Sequence, residues 1–246
     1  MSEILKISNL NYKKNNKILI NNINLTVNKP EIIGLLGENG AGKTTLFRLI
    51  AGLGKGYTGS IAVAGETSID KIKENISFND KLDAFNLYTK LKEIKDFYAK
   101  FYKDFELEKF DNIISLLDID MSKRLGELSK GKKEGFIVAL SIARTVKIYL
   151  LDEPFSGIDL MSRKKILQSI IKWLPQDATV FLSDHNIEEV HQIIDRIVLI
   201  KDKTIVADET AEKIRSNGES IEEFLSLIHI SEPTRRTERS RMPSSA

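Results

Sequence analysis

Cysteine is absent from the 246 residues of this chain, which excludes disulfides, thiol nucleophiles and cysteine-ligated zinc or iron–sulfur centres. A reducing compartment fits that composition. Long hydrophobic runs are also missing. The apolar stretches at 32–36, 148–151, 180–182 and 197–200 fall far short of the roughly 20 residues that a helix needs to cross a bilayer. The start, MSEILKISNLNY, has neither the apolar core of a secretory signal nor the arginine-rich character of a transit peptide, so cytoplasmic residence is expected. Neither sign of charge dominates, with 37 Lys and Arg against 35 Asp and Glu. The small excess lies beyond Leu225, where Arg235, Arg236, Arg239 and Arg241 face only Glu232 and Glu238. The body is neutral, and no nucleic-acid partner is expected.

What is there describes a folded protein. Apolar residues make up 41% and charged residues 29%, values of a globular chain rather than a disordered or fibrous one. The length allows one sizeable core. Two β-runs, Ile4–Tyr12 and Ile18–Val27, flank the polar KKNNK and read as a hairpin. A short strand at 31–36, a glycine-rich loop and helical spacing over 44–51 follow in order. Ser60–Ala64 is a further strand candidate. From about Leu87 to Arg144 the period is helical, after which strands return at 148–151, 180–182, 197–200 and 204–207 with helices between. Alternation of this kind predicts a largely parallel α/β core with an antiparallel patch at its start.

The loop GENGAGKT carries the first chemistry. Gly37, Glu38, Asn39, Gly40, Ala41, Gly42, Lys43 and Thr44 fit G-x-x-x-x-G-K-[ST] between an expected strand and helix, and Thr45 extends the site. Glycines let backbone N–H groups turn onto phosphate oxygens, and the helix N-terminus adds its dipole. Lys43 is expected on the β- and γ-phosphates, and Thr44 offers a hydroxyl to Mg²⁺. This pattern marks a nucleotide site without naming the reaction.

Later segments narrow it. The strand Ile148–Leu151 ends in Asp152, Glu153 and Pro154, which presents two carboxylates at the edge where α/β sheets bind ligands. Ser156-Gly157-Ile158-Asp159 comes next, His185 follows a later strand, and Leu128-Ser129-Lys130-Gly131-Lys132 opens an apolar helix with Ser129 as a natural N-cap. Taken in chain order, with 128–132 ahead of the carboxylate pair, the motifs resemble the ATP-binding subunit of an ATP-binding-cassette (ABC) transporter, over about 4–225.

That resemblance implies an α/β fold: a P-loop NTPase core with an N-terminal antiparallel β patch and an inserted α-helical subdomain at about 82–145. It implies that Asp152 and Thr44 hold Mg²⁺ and that Glu153 is the general base. His185 would contact the γ-phosphate, with Lys43 completing the catalytic set. Tyr12 would stack on adenine. Ser129 and Gly131 of the signature segment would engage ATP held by a second ABC subunit, in a homo- or heterodimer. An integral membrane permease is the implied partner, reached from the cytoplasmic face, with export favoured by the lysines at 130 and 132. For those lysines a solvated basic face is the alternative. Lys81 stands where the family places a glutamine that touches Mg²⁺, and Asn79 offers a shorter amide; this departure puts metal coordination and coupling in doubt. Two other functions fit the same motifs: a soluble regulatory or assembly cassette, and a weakened nucleotide-sensing member of a heterodimer. No Asn-Lys-x-Asp guanine-reading motif follows the carboxylate pair.

The segment 225–246 departs from the Lys-, Ile- and Asn-rich composition of what precedes it, since all its basic residues apart from His229 are arginine. Its first part resembles a translated sequencing adaptor and its last seven residues resemble translated flow-cell sequence, so the cassette is expected to occupy 1–224 and the tail to be non-native. Sequencing the source DNA across codon 225 tests this, and an adaptor-free read that still encodes the tail refutes it.

Overall fold

The computed structural model describes residues 3–79, 81–184, 192–218, 220–221 and 223–224. In chain order the elements are β1 (Leu5–Lys14), β2 (Lys17–Val27), β3 (Ile32–Leu36), α1 (Lys43–Ile50), β4 (Thr58–Val63), α2 (Ile69–Glu74), β5 (Ile76–Phe78), α3 (Leu91–Phe101) and α4 (Leu107–Leu116). There follow α5 (Lys130–Ile142), β6 (Ile148–Asp152), α6 (Leu160–Trp173), β7 (Thr179–Ser183), β8 (Arg196–Lys201), β9 (Thr204–Thr210) and α7 (Ala211–Ser216).

The opening hairpin turns at Asn15 and Asn16, whose φ values of 49 and 61 are those of a two-residue turn that matches strand twist. Asparagine tolerates this left-handed backbone, which is why KKNNK reverses the chain. β4 pairs with the other edge of β1 and completes a three-stranded antiparallel sheet in the order β2-β1-β4. The larger sheet has six strands in the order β5-β6-β7-β3-β8-β9. Its neighbours run parallel except β8 and β9, which form an antiparallel hairpin at one edge.

Parallel strands covered on both faces read as unbroken apolar runs, and here the pleat sorts them. Ile148, Leu150, Phe181, Val198 and Ile200 point to the side that carries α1 and the small sheet. Tyr149, Leu151, Val180, Leu182, Ile197 and Leu199 point to the opposite side, where Phe110 of α4 and Phe136 of α5 are buried. The sheet thus divides two cores. α1 lies in the first, with Leu46, Phe47, Leu49 and Ile50 buried between the sheets. Phe47 meets Phe78 and Phe181 edge-on, with ring centroids 6.5 Å and 6.2 Å away. In the second core α3, α4 and α5 form the expected helical stretch. Its anchor is Arg144, buried, which donates to Asp104 and, at 2.6 Å, to the Ile76 carbonyl.

The expected strands and main helices are present, with boundaries displaced by one to three residues. Among the described residues α2, α7 and β5 have no counterpart in the sequence pattern. The last is three residues long and is defined by its pairing with β6, so no periodicity marks it.

Phe47→Ala removes a fully buried ring from between the sheets and is expected to cost about 3–5 kcal/mol. A lower urea midpoint at unchanged slope is the measurement.

Candidate functional site

β3 ends at Leu36, and the loop 37–42 carries the chain into α1. Two of its glycines are required by space as well as by backbone. At Gly37, with φ 145, a Cβ would lie 2.2 Å from the Ile200 carbonyl oxygen of β8. At Gly42, with φ 123, it would lie 3.0 Å from the Leu19 carbonyl oxygen of β2. The loop therefore packs backbone to backbone against both neighbours. Lys43 folds back into it, donating to the Gly37 carbonyl at 2.6 Å and the Glu38 carbonyl at 3.2 Å. Ala41 N–H closes the turn onto the Glu38 carbonyl at 3.0 Å. Burial pushes the Lys43 ammonium below the usual lysine range, and Glu153, Asp152 and Asp184 act in the opposite direction.

Those carboxylates are placed by the parallel sheet. Asp152 ends β6 and is held from both neighbouring strands. On the β5 side, Asp152 N–H donates to Asn79 Oδ1 at 2.6 Å, and Asn79 Nδ2 donates back to the Asp152 carbonyl at 3.3 Å. On the β7 side, Ser183 Oγ donates to Asp152 Oδ1 at 2.5 Å. The same hydroxyl accepts from Glu153 N–H at 2.9 Å. Glu153 has φ 47, a left-handed backbone that a side-chain-bearing residue adopts at a cost. Ser183 thus joins both acidic residues through one oxygen.

Gly40, Gly42, Lys43, Thr44, Thr45 and Glu153 line one cleft of about 250 Å³ together with Lys17, Leu19 and Lys203. Glu38 and Asn39 are exposed, Gly37 is half-buried and Ala41 is buried, and none of the four is in the lining of this cleft. Tyr12 is not part of the lining. It pairs with Ile20 across the small sheet and packs half-buried against the core between the sheets. His185 lies outside the described residues.

The Thr44 hydroxyl and the Asp152 carboxylate are hard oxygen donors: Thr44 lines the cleft, while Asp152 is not in its lining and acts on the Lys43 ammonium through its charge. Among the described residues no group of three or more His, Cys, Asp or Glu could hold an ion unaided. A hydroxyl and a carboxylate without a complete cage suit Mg²⁺, which keeps waters and takes oxygens from phosphates. Both ends of the Asn79 amide are engaged with the Asp152 backbone. Lys81 acts on Glu134 of α5, whose carboxyl is raised by burial and drawn down by Lys130, Lys133 and Lys81.

The signature segment sits apart. Ser129 caps α5, its hydroxyl accepting from Lys132 N–H at 3.4 Å. A Cβ on Gly131 would lie 2.9 Å from Ser162 Oγ and 3.4 Å from Asp159 Oδ2, so this glycine lets the starts of α5 and α6 touch. Asp159 caps α6, accepting from Met161 and Ser162 N–H, each at 3.0 Å. The Ser162 hydrogen bonds hold its carboxyl below the usual range. The two lysines differ, with Lys132 half-buried and Lys130 exposed. Lys132 donates to the carbonyl and carboxylate of Asp118, and Lys130 lies over Gly157, whose absent Cβ would fall 2.1 Å from its ammonium. Neither Ser129 nor Gly131 lines the phosphate cleft.

Sequence reasoning missed Ser183, Lys17 and Lys203. Ser183 precedes Asp184-His185 and carried a signal only as the end of an apolar run. The two lysines carried none, because hairpin turns bring them to the loop.

Residues 20–156 match the family model described as ABC transporter. The ABC transporter ATP-binding protein YtrB of Bacillus subtilis (strain 168) is 30% identical over 190 residues, 76% of this chain and 65% of YtrB, so the chain spans just under two thirds of that relative. LptB of Haemophilus influenzae, a lipopolysaccharide export system ATP-binding protein, is 31% identical over 229 residues, 87% of this chain and 93% of LptB. In fold the chain is similar to a solved ATP-binding subunit of an ABC transporter, with a TM-score of 0.80 at 20% identity, covering 92% and 99% of the two chains.

Ser183→Ala is expected to raise the Mg²⁺ concentration for half-maximal ATP turnover roughly tenfold to a hundredfold, since it removes the hydroxyl that holds the Asp152 carboxylate and leaves Glu153 N–H only its bond to the Ser183 carbonyl. A Mg²⁺ titration of the ATPase rate checks it.

Proposed function

The chain belongs to the ABC transporter family, and we propose that it is an ATP-hydrolysing subunit that pairs with a second cassette on ATP and drives a separate membrane permease. One observation carries this proposal: Lys43 and Glu153 share a cleft, whereas Ser129 and Gly131, at the start of α5, do not line it. A signature segment that does not line its own chain's cleft would offer its helix start to the nucleotide of another copy.

Phosphoryl transfer asks for positioning and charge stabilisation more than for covalent chemistry. The loop N–H groups and Lys43 would cradle the phosphates. Glu153 would accept the proton of the attacking water, its carboxylate aimed from a backbone that Ser183 fixes. Thr44 and Asp152 would hold Mg²⁺, which supplies neutralisation of phosphate charge. His185, two positions after Ser183 in the sequence, would complete the γ-phosphate contacts. Adenine would sit toward the small sheet, with Tyr12 as its stacking partner.

For the permease, the supporting feature is a groove of about 300 Å³ bordered by Leu53, Phe78, Phe101, Tyr102 and Arg144. Phe101 is 66% exposed there and Phe97, stacked on it, 50%. Aromatic side chains left in water beside a groove favour a protein partner. Among the described residues no helix is long and apolar enough to cross a membrane, and the permease in this proposal is another chain. Export is the direction we propose, from the lysine-bearing signature segment.

Turnover per chain should rise with protein concentration in the full-length protein, with Lys43→Ala as the inactive blank. Glu153→Gln should lower kcat by roughly a hundredfold or more while ATP still binds. Wild-type turnover in Glu153→Gln would remove Glu153 as the base.

A further inference from the structure

The turn between β8 and β9 is built from Asp202 and Lys203, with φ values of 49 and 70. Lys201 and Thr204 pair on either side of it. A two-residue turn of this hand favours glycine at its second position, because an L side chain there is strained. This chain carries lysine instead. The side chain ends at the phosphate cleft: Lys203 Nζ donates to the Gly40 carbonyl, inside the loop motif. The backbone at the same residue is tied to β2, since the Lys203 carbonyl accepts from Asn21 N–H at 2.8 Å. The hairpin tip is thus fixed at one end by β2 and at the other by the phosphate loop.

The charge balance of the cleft points the same way. Its lining carries three cations, Lys17, Lys43 and Lys203, against one carboxylate, Glu153. Among the described residues neither Lys17 nor Lys203 has a carboxylate partner in an ion pair. The Lys203 ammonium rests on a neutral carbonyl, an acceptor weaker than a phosphate oxygen. A strained lysine that places an uncompensated charge beside a triphosphate site has a use that a glycine lacks.

We propose that Lys203 is a nucleotide-positioning residue, its ammonium passing from the Gly40 carbonyl to the polyphosphate of the bound nucleotide, with Lys17 adding positive charge to the same cleft. The proposal rests on the nucleotide role of this cleft. It adds a contact from the far edge of the large sheet, outside the loop, the β6 carboxylates and the signature segment.

Lys203→Gly is the discriminating substitution. Glycine takes φ 70 without strain, so the variant removes the ammonium while keeping or improving the turn. Calorimetric titration of the full-length chain with ATP, ADP and AMP, at two salt concentrations, is compared among wild type, Lys203→Gly, Lys203→Arg and Lys43→Ala. Lys203→Gly should weaken ATP roughly tenfold or more, with a smaller loss for AMP and a shallower dependence on salt. Lys203→Arg should recover most of the affinity, and the nucleotide-free melting temperature of Lys203→Gly should equal or exceed that of wild type. Unchanged ATP affinity in Lys203→Gly overturns the assignment. So does an equal loss for all three nucleotides with a lower melting temperature, which is the behaviour of a strap that only braces the loop. Lys43→Ala separates the two levels. If it abolishes binding while Lys203→Gly does not, only the Lys203 assignment fails. If both bind as wild type does, the nucleotide role of the cleft fails, and the Lys203 assignment with it.

Discussion

A lysine ammonium buried beneath a backbone loop is the constraint on which this molecule turns. Taking Lys43 out of water disfavours its charge, and the fold answers with carbonyls of Gly37 and Glu38 at hydrogen-bond distance and carboxylates of Asp152, Glu153 and Asp184 nearby. Each answer dictates architecture. The carbonyls require a loop tight enough that Gly37 meets the β8 backbone and Gly42 meets the β2 backbone. The carboxylates require neighbouring strands that run in one direction and end at the same edge, which β3, β6 and β7 do.

The large sheet serves as a wall between two cores with different tasks. On one side α1 is clamped against the small sheet by Phe47 and its aromatic neighbours, so the helix that begins at the phosphate loop has little freedom to tilt. On the other side α4, α5 and α6 carry the signature segment and the turn that follows Glu153. The strand ends are where the two sides communicate. Ser183 shows this at the scale of one hydroxyl, because a displacement of β7 alters Asp152 and Glu153 together.

Much of this was legible in the sequence, for definite reasons. Strands buried on both faces are continuous apolar runs, and the run 148–151 followed by Asp152 and Glu153 announced both a strand and its chemistry. The phosphate loop was legible because its glycines answer local steric demands. What stayed hidden depends on pairings distant in sequence. The hold of Asn79 on the Asp152 backbone depends on β5 lying beside β6. Lys132 looked like either a signature variant or surface charge, and its partner Asp118 sits 14 residues earlier, at the end of α4. Lys203 required a hairpin whose tip returns to a loop that precedes it by 163 residues. Tyr12 was read by its distance from the loop, and residues 17 and 19 of the opposing strand reach the cleft wall.

The contact between the starts of α5 and α6 carries a further consequence. Gly131 seats one helix on Ser162 and Asp159 of the other, and Lys130 lies across Gly157. The two segments accordingly form one preassembled tile rather than two independent fingers. A body that docks on this edge meets a surface whose parts are already in register, so fewer internal degrees of freedom are frozen at contact. The tile also touches the turn that follows the carboxylates. Lys130 of α5 meets the turn at Gly157, four residues beyond Glu153, in a contact that does not involve the phosphate loop.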